Sequence, residues 1–307
     1  MMTCDLTCLD YVWRMLLVGT LSASIVLGVL IMSWLVMRNR MSCLQSKKFL
    51  NYHFLALVVV LISVFGFVAV KDPELASGCF RQFINQGVNF SFTRFVAGVW
   101  VAVFLCLMLF DLARIYISMQ TSRHFKPVKS ETLNDTLRSS LIKMNCQSKV
   151  QLYSCVEAVS PFVWGFTNCK IVIPEIFLEI GHHKTLENIF AHEIVHVRDH
   201  DSIWRLLELL CRRLLFFHPL MIFVGAKYLL NIEKAADEEA VKRGRVSPQE
   251  LLTSLIEVIG LSRKIQSNPM ILNASRSYQE LKERIESLSR AQKPQSGTVR
   301  FGHTLAA

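Results

Sequence analysis

Three long, largely uncharged stretches lie in the first part of the chain. Each is long enough to cross the hydrocarbon core of a bilayer as one helix, and they cover about residues 13–37, 49–70 and 95–117. The third stretch reaches that length only by including one acidic and one basic residue, whose charges we expect near the lipid headgroups. The pattern therefore predicts a transmembrane region with three helices over residues 1–122.

Basic residues at the ends of these stretches predict how the helices are oriented. Four lie between the first and second stretches with no acidic residue among them, and four follow the third: Arg38, Arg40, Lys47, Lys48, Arg114, Arg123, Lys126 and Lys129. Because cytoplasmic loops carry an excess of Lys and Arg, we expect both segments inside the cell and the amino terminus outside. The sequence thus predicts a multi-pass protein of the inner (plasma) membrane.

Residues 123–290 are expected to form a separate cytoplasmic domain, followed by a polar tail at 291–307. Short segments rich in Val, Ile, Phe and Trp predict strands, the last two of them a hairpin, at 149–156, 162–166 and 170–173. Pro161 and Pro174 bracket the hairpin and favour an edge position in a sheet. Helical patterns cover most of the remainder, so the predicted fold is mainly α with a small β hairpin or sheet.

A helix is predicted over about residues 184–200. Its apolar residues recur at spacings of three and four, which places Leu186, Phe190, Ile194 and Val197 on one stripe. The histidines of the same helix project away from this stripe. We therefore expect one face to pack and the other to be free for chemistry.

The segment at 203–230 is strongly apolar but is interrupted by charges, and His218-Pro219 should break or kink it. Its longest uncharged piece, 214–226, is too short for a span, which favours a buried or interfacial helix. A hairpin that dips into the membrane is the alternative. A further helix is predicted from about residue 220 to residue 241.

Two later helices carry local signals of their own. Ser247-Pro248-Gln249-Glu250 has the form of a capping box with proline at the first helical position. Glu280 and Arg284 are spaced i,i+4 on the last helix, which predicts an ion pair between them.

Composition agrees with a membrane protein, because 52% of the residues are hydrophobic and only 19% are charged. The formal net charge of +10 has the sign that nucleic-acid binding requires. Much of the excess lies beside the predicted spans, however, where it sets topology and contacts anionic lipid. We therefore expect membrane lipid, and no direct nucleic acid, among the partners.

The predicted helix at 184–200 carries the motif H-E-x-x-H as His192-Glu193-Ile194-Val195-His196. Residues four apart share a helix face, so both imidazoles can bind one zinc ion while Glu193 reaches a water at the ion's open position. There Glu193 would take the water's proton as general base. So short a motif also arises by chance on exposed polar helix faces. Further residues must therefore decide whether this one is a metal site.

Acidic residues downstream complete the expected site. Glu233 lies on another predicted helix and would be the third zinc ligand, and Asp237 on the same face can accept the spare N–H of a ligand histidine. Asp201 either accepts a hydrogen bond from a ligand histidine in the same way or simply stabilises the end of a helix. A third histidine ligand is disfavoured, because positions 199 and 202 hold Asp and Ser where the longer zinc-helix motif has Gly and His.

Taken together, these features resemble the BlaR/MecR family of integral-membrane zinc metallopeptidases. The similarity rests on the three predicted spans, the hairpin at 160–174, the H-E-x-x-H motif with Asp201, the Phe-Phe-His-Pro segment at 216–219, and Glu233-x-x-Ala236-Asp237-Glu238. The resemblance implies a cytoplasmic domain of the gluzincin type. In such a domain His192, His196 and Glu233 bind Zn²⁺ and Glu193 is the base.

The resemblance also implies a role in signalling. In signalling members of the family, ligand sensing outside the cell leads to proteolysis that relieves repression of resistance genes. The expected substrate is accordingly a protein, either a transcriptional repressor or the chain itself. Because no fourth span or extracytoplasmic sensor domain follows residue 288, we expect a separate sensor protein or the loop at 71–94 to supply the signal.

Two other interpretations stay open from the sequence. A membrane quality-control or prenyl-protein zinc peptidase would have the same metal site and a different substrate. A non-catalytic membrane signalling scaffold would keep the residues without cleaving anything. An intramembrane protease of the site-2 type is disfavoured, because charged residues flank the motif.

Overall fold

The computed structural model describes residues 19–20, 22–33, 41–71, 92–156, 158, 160–180, 182–265 and 274–291. The helices at the amino-terminal side are α1 (Ser22–Ser33), α2 (Cys43–Lys71) and α3 (Phe92–Thr121), the last followed by a 3₁₀ turn. The strands are β1 (Lys126–Pro127), β2 (Val150–Cys155), β3 (Phe162–Trp164) and β4 (Cys169–Pro174). The other helices are α4 (Glu131–Lys143), α5 (Glu175–Ile180), α6 (His183–Arg198), α7 (Asp201–Leu214), α8 (Pro219–Gly244), α9 (Pro248–Ile265) and α10 (Ala274–Ala291).

The described residues are mainly helical with one small mixed sheet, so the predicted fold class is confirmed. The predicted strands and the helices α6, α8 and α9 lie within a few residues of their expected bounds. The capping box is also present, because Ser247 and Glu250 exchange hydrogen bonds through Oγ and Oε2. Of the polar tail predicted at 291–307, Ala291 is the last residue of α10, and residues 292–307 lie outside the described residues.

Four strands form the sheet in the order β1-β2-β4-β3. Strands β3 and β4 pair antiparallel as the predicted hairpin, whereas β2 and β4 pair in parallel. Gly165 turns the hairpin with φ 102°, where an added Cβ would lie 2.8 Å from the carbonyl oxygen of Asn168. The edge position predicted for the hairpin holds for β3 alone, since β4 has a partner on each side.

Two large apolar clusters stabilise the protein. One lies between the sheet and the helices α4, α6 and α9, with Ile171, Phe177 and Phe190 fully buried. The other joins α1 and α2 to α7 and α8, and it includes Leu27, Phe54 and Tyr228. The second cluster therefore combines residues from both sides of the domain boundary predicted at 122/123.

The segments predicted to span a membrane are helical where the structure describes them. Helix α2 contains the whole stretch 49–70 and α3 the whole stretch 95–117, while α1 covers part of 13–37. Among the described residues, one helix, Gly98–His124, is long and apolar enough to cross a bilayer. The number of spans and their orientation stay predictions.

Candidate metal centre

Helix α6 is buried on almost all sides, including the face that carries the motif. His192, Glu193 and His196 are only 7%, 8% and 8% exposed, so the expectation of an open chemical face was wrong. The reason is that the helices α7 and α8 and the strand β3 all pack against α6. A cavity of about 310 Å³ reaches these residues between the helices and strand β3.

Three side chains of the predicted ligand set converge in this cavity. His192 Nε2 and His196 Nε2 lie 3.3 Å apart. The Glu233 carboxylate on α8 approaches both rings, with Oε2 3.5 Å from His192 Nε2 and Oε1 3.9 Å from His196 Nε2. The structure thus brings together the two motif histidines and the carboxylate from a segment some 40 residues downstream.

A second carboxylate stands behind each histidine. Asp201, the first residue of α7, lies 2.7 Å from His196 Nδ1. Asp237, one turn after Glu233, lies 3.0 Å from His192 Nδ1, within hydrogen-bond distance although the ring is not aligned for a straight bond. Each of the two aspartates therefore lies beside the Nδ1 atom of one motif histidine, and Asp201 is also the first residue of a helix.

The protonation pattern of these contacts favours a cation at the centre. A carboxylate only accepts hydrogen bonds, so a neutral ring that donates its Nδ1–H to the carboxylate behind it presents an Nε2 lone pair to a metal. Two such lone pairs and a carboxylate then converge within a few ångströms. Ligand atoms at about 2.0–2.1 Å in a tetrahedral zinc site are separated by about 3.3 Å, close to the spacing of the two Nε2 atoms. The donor set fits zinc.

The pKa values of the metal-free site also favour a cation at the centre. Burial disfavours a charged imidazole, but Asp237 and Glu233 outweigh that effect and raise the pKa of His192 from 6.5 to about 10. Burial also raises the pKa of Glu233, yet His192, His196 and two nearby arginines hold it well below its usual value. The pocket therefore attracts a positive charge, which is a proton when no metal competes.

Two buried cations, missed by the sequence analysis, hold the outer carboxylates. Lys47 of α2 is 1% exposed and places Nζ 2.6 Å from Asp201 Oδ1. Arg284 of α10 donates two hydrogen bonds of 2.7 Å to the Asp237 carboxylate. The sequence had suggested a topology role for the lysine and a local ion pair for the arginine, because neither residue's spacing reveals a partner so distant in the chain.

Glu193 and Arg205 complete the wall of the cavity. Glu193, adjacent to the first ligand histidine, lines the cavity together with Ser160 and Phe162 of the β3 segment. Arg205 of α7 is the more exposed of the two and donates a 2.6 Å hydrogen bond to Glu233 Oε1. The cavity thus has a carboxylate and a guanidinium beside the convergent ligand atoms.

Three further histidines lie away from the convergent ligand atoms. His183 contacts Thr136 on the outside of α4, and His218 contacts Ser24 of α1. His200 adopts the left-handed conformation, with φ 55°, at the turn between α6 and α7. Leaving them out of the ligand set agrees with their positions.

Comparison with known proteins places the chain in a family. The sequence profile described as BlaR1 peptidase M56 matches residues 79–288, which is more than half of the chain. The chain belongs to this peptidase family. The BlaR/MecR resemblance is thereby confirmed, and M56 membership supports a peptidase and implies a metal.

The methicillin resistance mecR1 proteins of Staphylococcus aureus and Staphylococcus epidermidis are relatives of this M56 protein. Each is 26% identical over 167 residues, which cover 52% of this chain and 27% of the relative. The aligned part is therefore about a quarter of the relatives' length. The matched family range includes Arg284 and the six predicted site residues, whereas Lys47 lies outside it.

Proposed function

We propose that this M56 protein is a membrane-anchored zinc endopeptidase whose metal is held by His192, His196 and Glu233. The observation that carries the proposal is the convergence of two imidazole Nε2 atoms and a carboxylate in a cavity that also contains Glu193. Zinc in this position would polarise a peptide carbonyl and make a water molecule more acidic. A fourth position is left for water or substrate, as hydrolytic zinc sites require.

The chain's own residues divide the remaining work. Glu193 is placed to accept the proton of the attacking water and to deliver it to the leaving amine. Asp201 and Asp237 keep the histidines in the tautomer that leaves Nε2 free, and Lys47 and Arg284 fix those carboxylates in turn. Each ligand histidine is thus oriented by a carboxylate and each carboxylate by a buried cation.

Strand β3 is suited to bind the substrate backbone. It is one of the two edge strands of the sheet, and the residues just before it and within it line the cavity. A polypeptide added along this edge would form main-chain hydrogen bonds while its scissile bond lies near the metal centre. We therefore propose that substrate binds in an extended conformation along Phe162–Trp164.

The substrate we propose is a protein in the cytoplasm close to the membrane, within a pathway of resistance signalling. The relatives' printed name, methicillin resistance mecR1 protein, supports that class of process. A transcriptional repressor and the chain itself are the two candidate substrates, and a separate sensor protein is a candidate partner. Membrane lipid surrounds the proposed spans, and no direct contact with nucleic acid is proposed.

Metal analysis and a cleavage assay test the proposal together. Full-length protein purified in lipid should contain about one zinc per chain, and His196→Ala should lose it. Glu193→Gln should keep the metal and lose cleavage, and in cells it should retain bound substrate that mass spectrometry can identify. A Glu193→Gln variant that cleaves as fast as the wild type would refute the peptidase mechanism, and a metal-loaded wild type that cleaves nothing would favour a signalling scaffold.

A further inference from the structure

Helix α7 buries its two acidic residues and exposes a stripe of apolar ones. Asp201 and Glu208 are each 1% exposed, whereas Ile203, Leu206 and Leu210 are 50%, 38% and 40% exposed. The three apolar residues are spaced three and four apart, so they form one stripe on the helix. A surface helix in water shows the opposite arrangement, with its apolar stripe facing the core.

The exposed apolar stripe continues beyond α7. Phe217 in the turn and Ile222 and Phe223 at the start of α8 are 45%, 60% and 47% exposed. We call the six exposed apolar residues of α7, the turn and α8 the hairpin surface. An exposed apolar patch of six residues marks a surface that contacts something other than water.

The hairpin lies alongside the helix that is long enough to cross a bilayer. Arg213 of α7 donates hydrogen bonds of 2.6 and 2.8 Å to Asp111, which stands midway along Gly98–His124. The Phe216 ring, in the turn, lies 6.3 Å from the ring of Trp100, which is near the amino-terminal end of the same helix. From Asp111 to Trp100 a helix rises about 16 Å, so the α7–α8 turn lies closer to the amino-terminal end of Gly98–His124 than the Arg213–Asp111 contact does.

Contacts with α1 and α2 give the hairpin the same orientation. Lys47 near the start of α2 contacts Asp201 beside the metal centre, and Asn51 one turn further on accepts a 2.7 Å hydrogen bond from Tyr228. At the opposite end, His218 in the turn lies 2.9 Å from Ser24. From Glu233 back to the first residue of α8 the helix rises about 21 Å, against a hydrocarbon core of about 30 Å.

Charges at the end of α7 are paired with protein groups, as a lipid environment requires. Arg212 binds the buried Glu208 carboxylate at 2.8 Å, and Arg213 binds Asp111. Gly225 of α8 leaves room for Glu208, whose carboxylate would collide with any added Cβ. Its polar groups thus face protein partners while its apolar groups face outward.

We propose that α7 and the first half of α8 form a membrane-embedded hairpin whose hairpin surface contacts lipid acyl chains. The proposal rests on the membrane location under Proposed function and extends it, because the metal centre at the base of the hairpin then lies at the inner face of the bilayer. Lipid is the occupant because the hairpin surface continues the exposed apolar surface of α3. In the most apolar part of Gly98–His124 only 6% is buried. The substrate class that follows is a polypeptide segment held close to the membrane surface.

Site-directed spin labelling of the full chain in lipid nanodiscs tests this assignment. The nine native cysteines are replaced, and single cysteines are introduced as Leu206→Cys, Phe217→Cys and Phe223→Cys. Ile142→Cys on α4 and Ile256→Cys on α9 are matched controls, because these residues are 80% and 55% exposed and apolar but lie away from the hairpin surface. Collision with oxygen reports lipid, and collision with a water-soluble nickel chelate reports water. Circular dichroism confirms that each variant is folded.

The ratio of oxygen to nickel accessibility should be several-fold higher at all three hairpin positions than at both controls, and highest at Phe217→Cys. Equal ratios at hairpin and control positions would overturn the proposal. Labels shielded from both reagents and broadened by a neighbouring label would identify a second copy of the chain as the occupant and also overturn it. Because lipid contact is read without cleavage, a failed cleavage assay leaves the result intact, and labels in water leave the peptidase mechanism intact.

Discussion

Lys47→Met should weaken zinc binding although residue 47 touches no ligand. In the structure Lys47 Nζ lies 2.6 Å from Asp201 Oδ1 and 2.9 Å from Asp199 Oδ2, and both Lys47 and Asp201 are 1% exposed. Methionine fills a similar volume but leaves Asp201 as a buried carboxylate whose described polar contact is His196. That carboxylate then protonates or moves, and in either case it orients His196 less well.

The size of the effect follows from two general magnitudes. Loss of an outer carboxylate contact costs about 10–100-fold in metal affinity, which is about 1.4–2.7 kcal/mol. Breaking one side of a buried ion pair costs about 3–5 kcal/mol of stability. We therefore expect the zinc dissociation constant of Lys47→Met to be about 10–100-fold higher than that of the wild type. The metal-free variant should unfold at a lower denaturant concentration.

Competition with a chromophoric chelator measures the zinc affinity, with circular dichroism as the check on folding. Lys48→Met is the matched control, because it removes the same charge from an exposed position one residue away. Asp199→Asn is a second control, since Asp199 binds Lys47 without being among the carboxylates that contact the ligand histidines. Wild-type affinity in folded Lys47→Met, or an equal loss in Lys48→Met, would show that Lys47 does not act through Asp201.

Three further predictions concern the surroundings of the site. Arg284→Met leaves Asp237 buried beside His192 alone, so urea denaturation should show a loss of about 3–5 kcal/mol, and unchanged stability would contradict the buried pair. The pKa of His192 in the metal-free protein is raised from 6.5 to about 10, so the stability that its protonated form contributes is complete below about pH 6.5 and is lost as pH rises toward 10. At pH 8 zinc must displace the proton of His192, and calorimetry in buffers of different ionisation enthalpy should detect release of about one proton per zinc bound. No proton release would contradict the assignment. Gly225→Ala should destabilise the protein by about 1–3 kcal/mol through collision with Glu208, whereas Gly260→Ala, with open space around it, should stabilise by about 0.5–1 kcal/mol; equal shifts in thermal unfolding would contradict the close packing of α7 on α8.

Features set by neighbouring residues were predictable from the sequence. The helical spacing of His192 and His196, the break at Pro219 and the capping box at Ser247 each depend on residues within a few positions, and the structure has all three. The pairing of Glu233 with the motif was also accessible, because a ligand set of two histidines needs a third donor and the i,i+4 acids Glu233 and Asp237 offered one.

Features set by distant contacts were not predictable in this way. The burial of Lys47 depends on α2 packing beside the α6–α7 turn, and nothing in the sequence around residue 47 distinguishes it from a lysine that sets topology. Arg284 likewise binds Asp237 across two helices, although its i,i+4 spacing suggested Glu280. The parallel pairing of β2 with β4 is a similar case, since strand spacing does not determine which strands become neighbours.

The zinc K-edge X-ray absorption spectrum of the full chain tests the metal centre most directly. Two imidazoles and a carboxylate predict a first shell of nitrogen and oxygen at about 2.0–2.1 Å, with imidazole scattering that is halved if zinc is forced into His196→Ala. A sulfur shell at about 2.3 Å, or imidazole scattering unchanged in His196→Ala, would show that zinc is bound elsewhere.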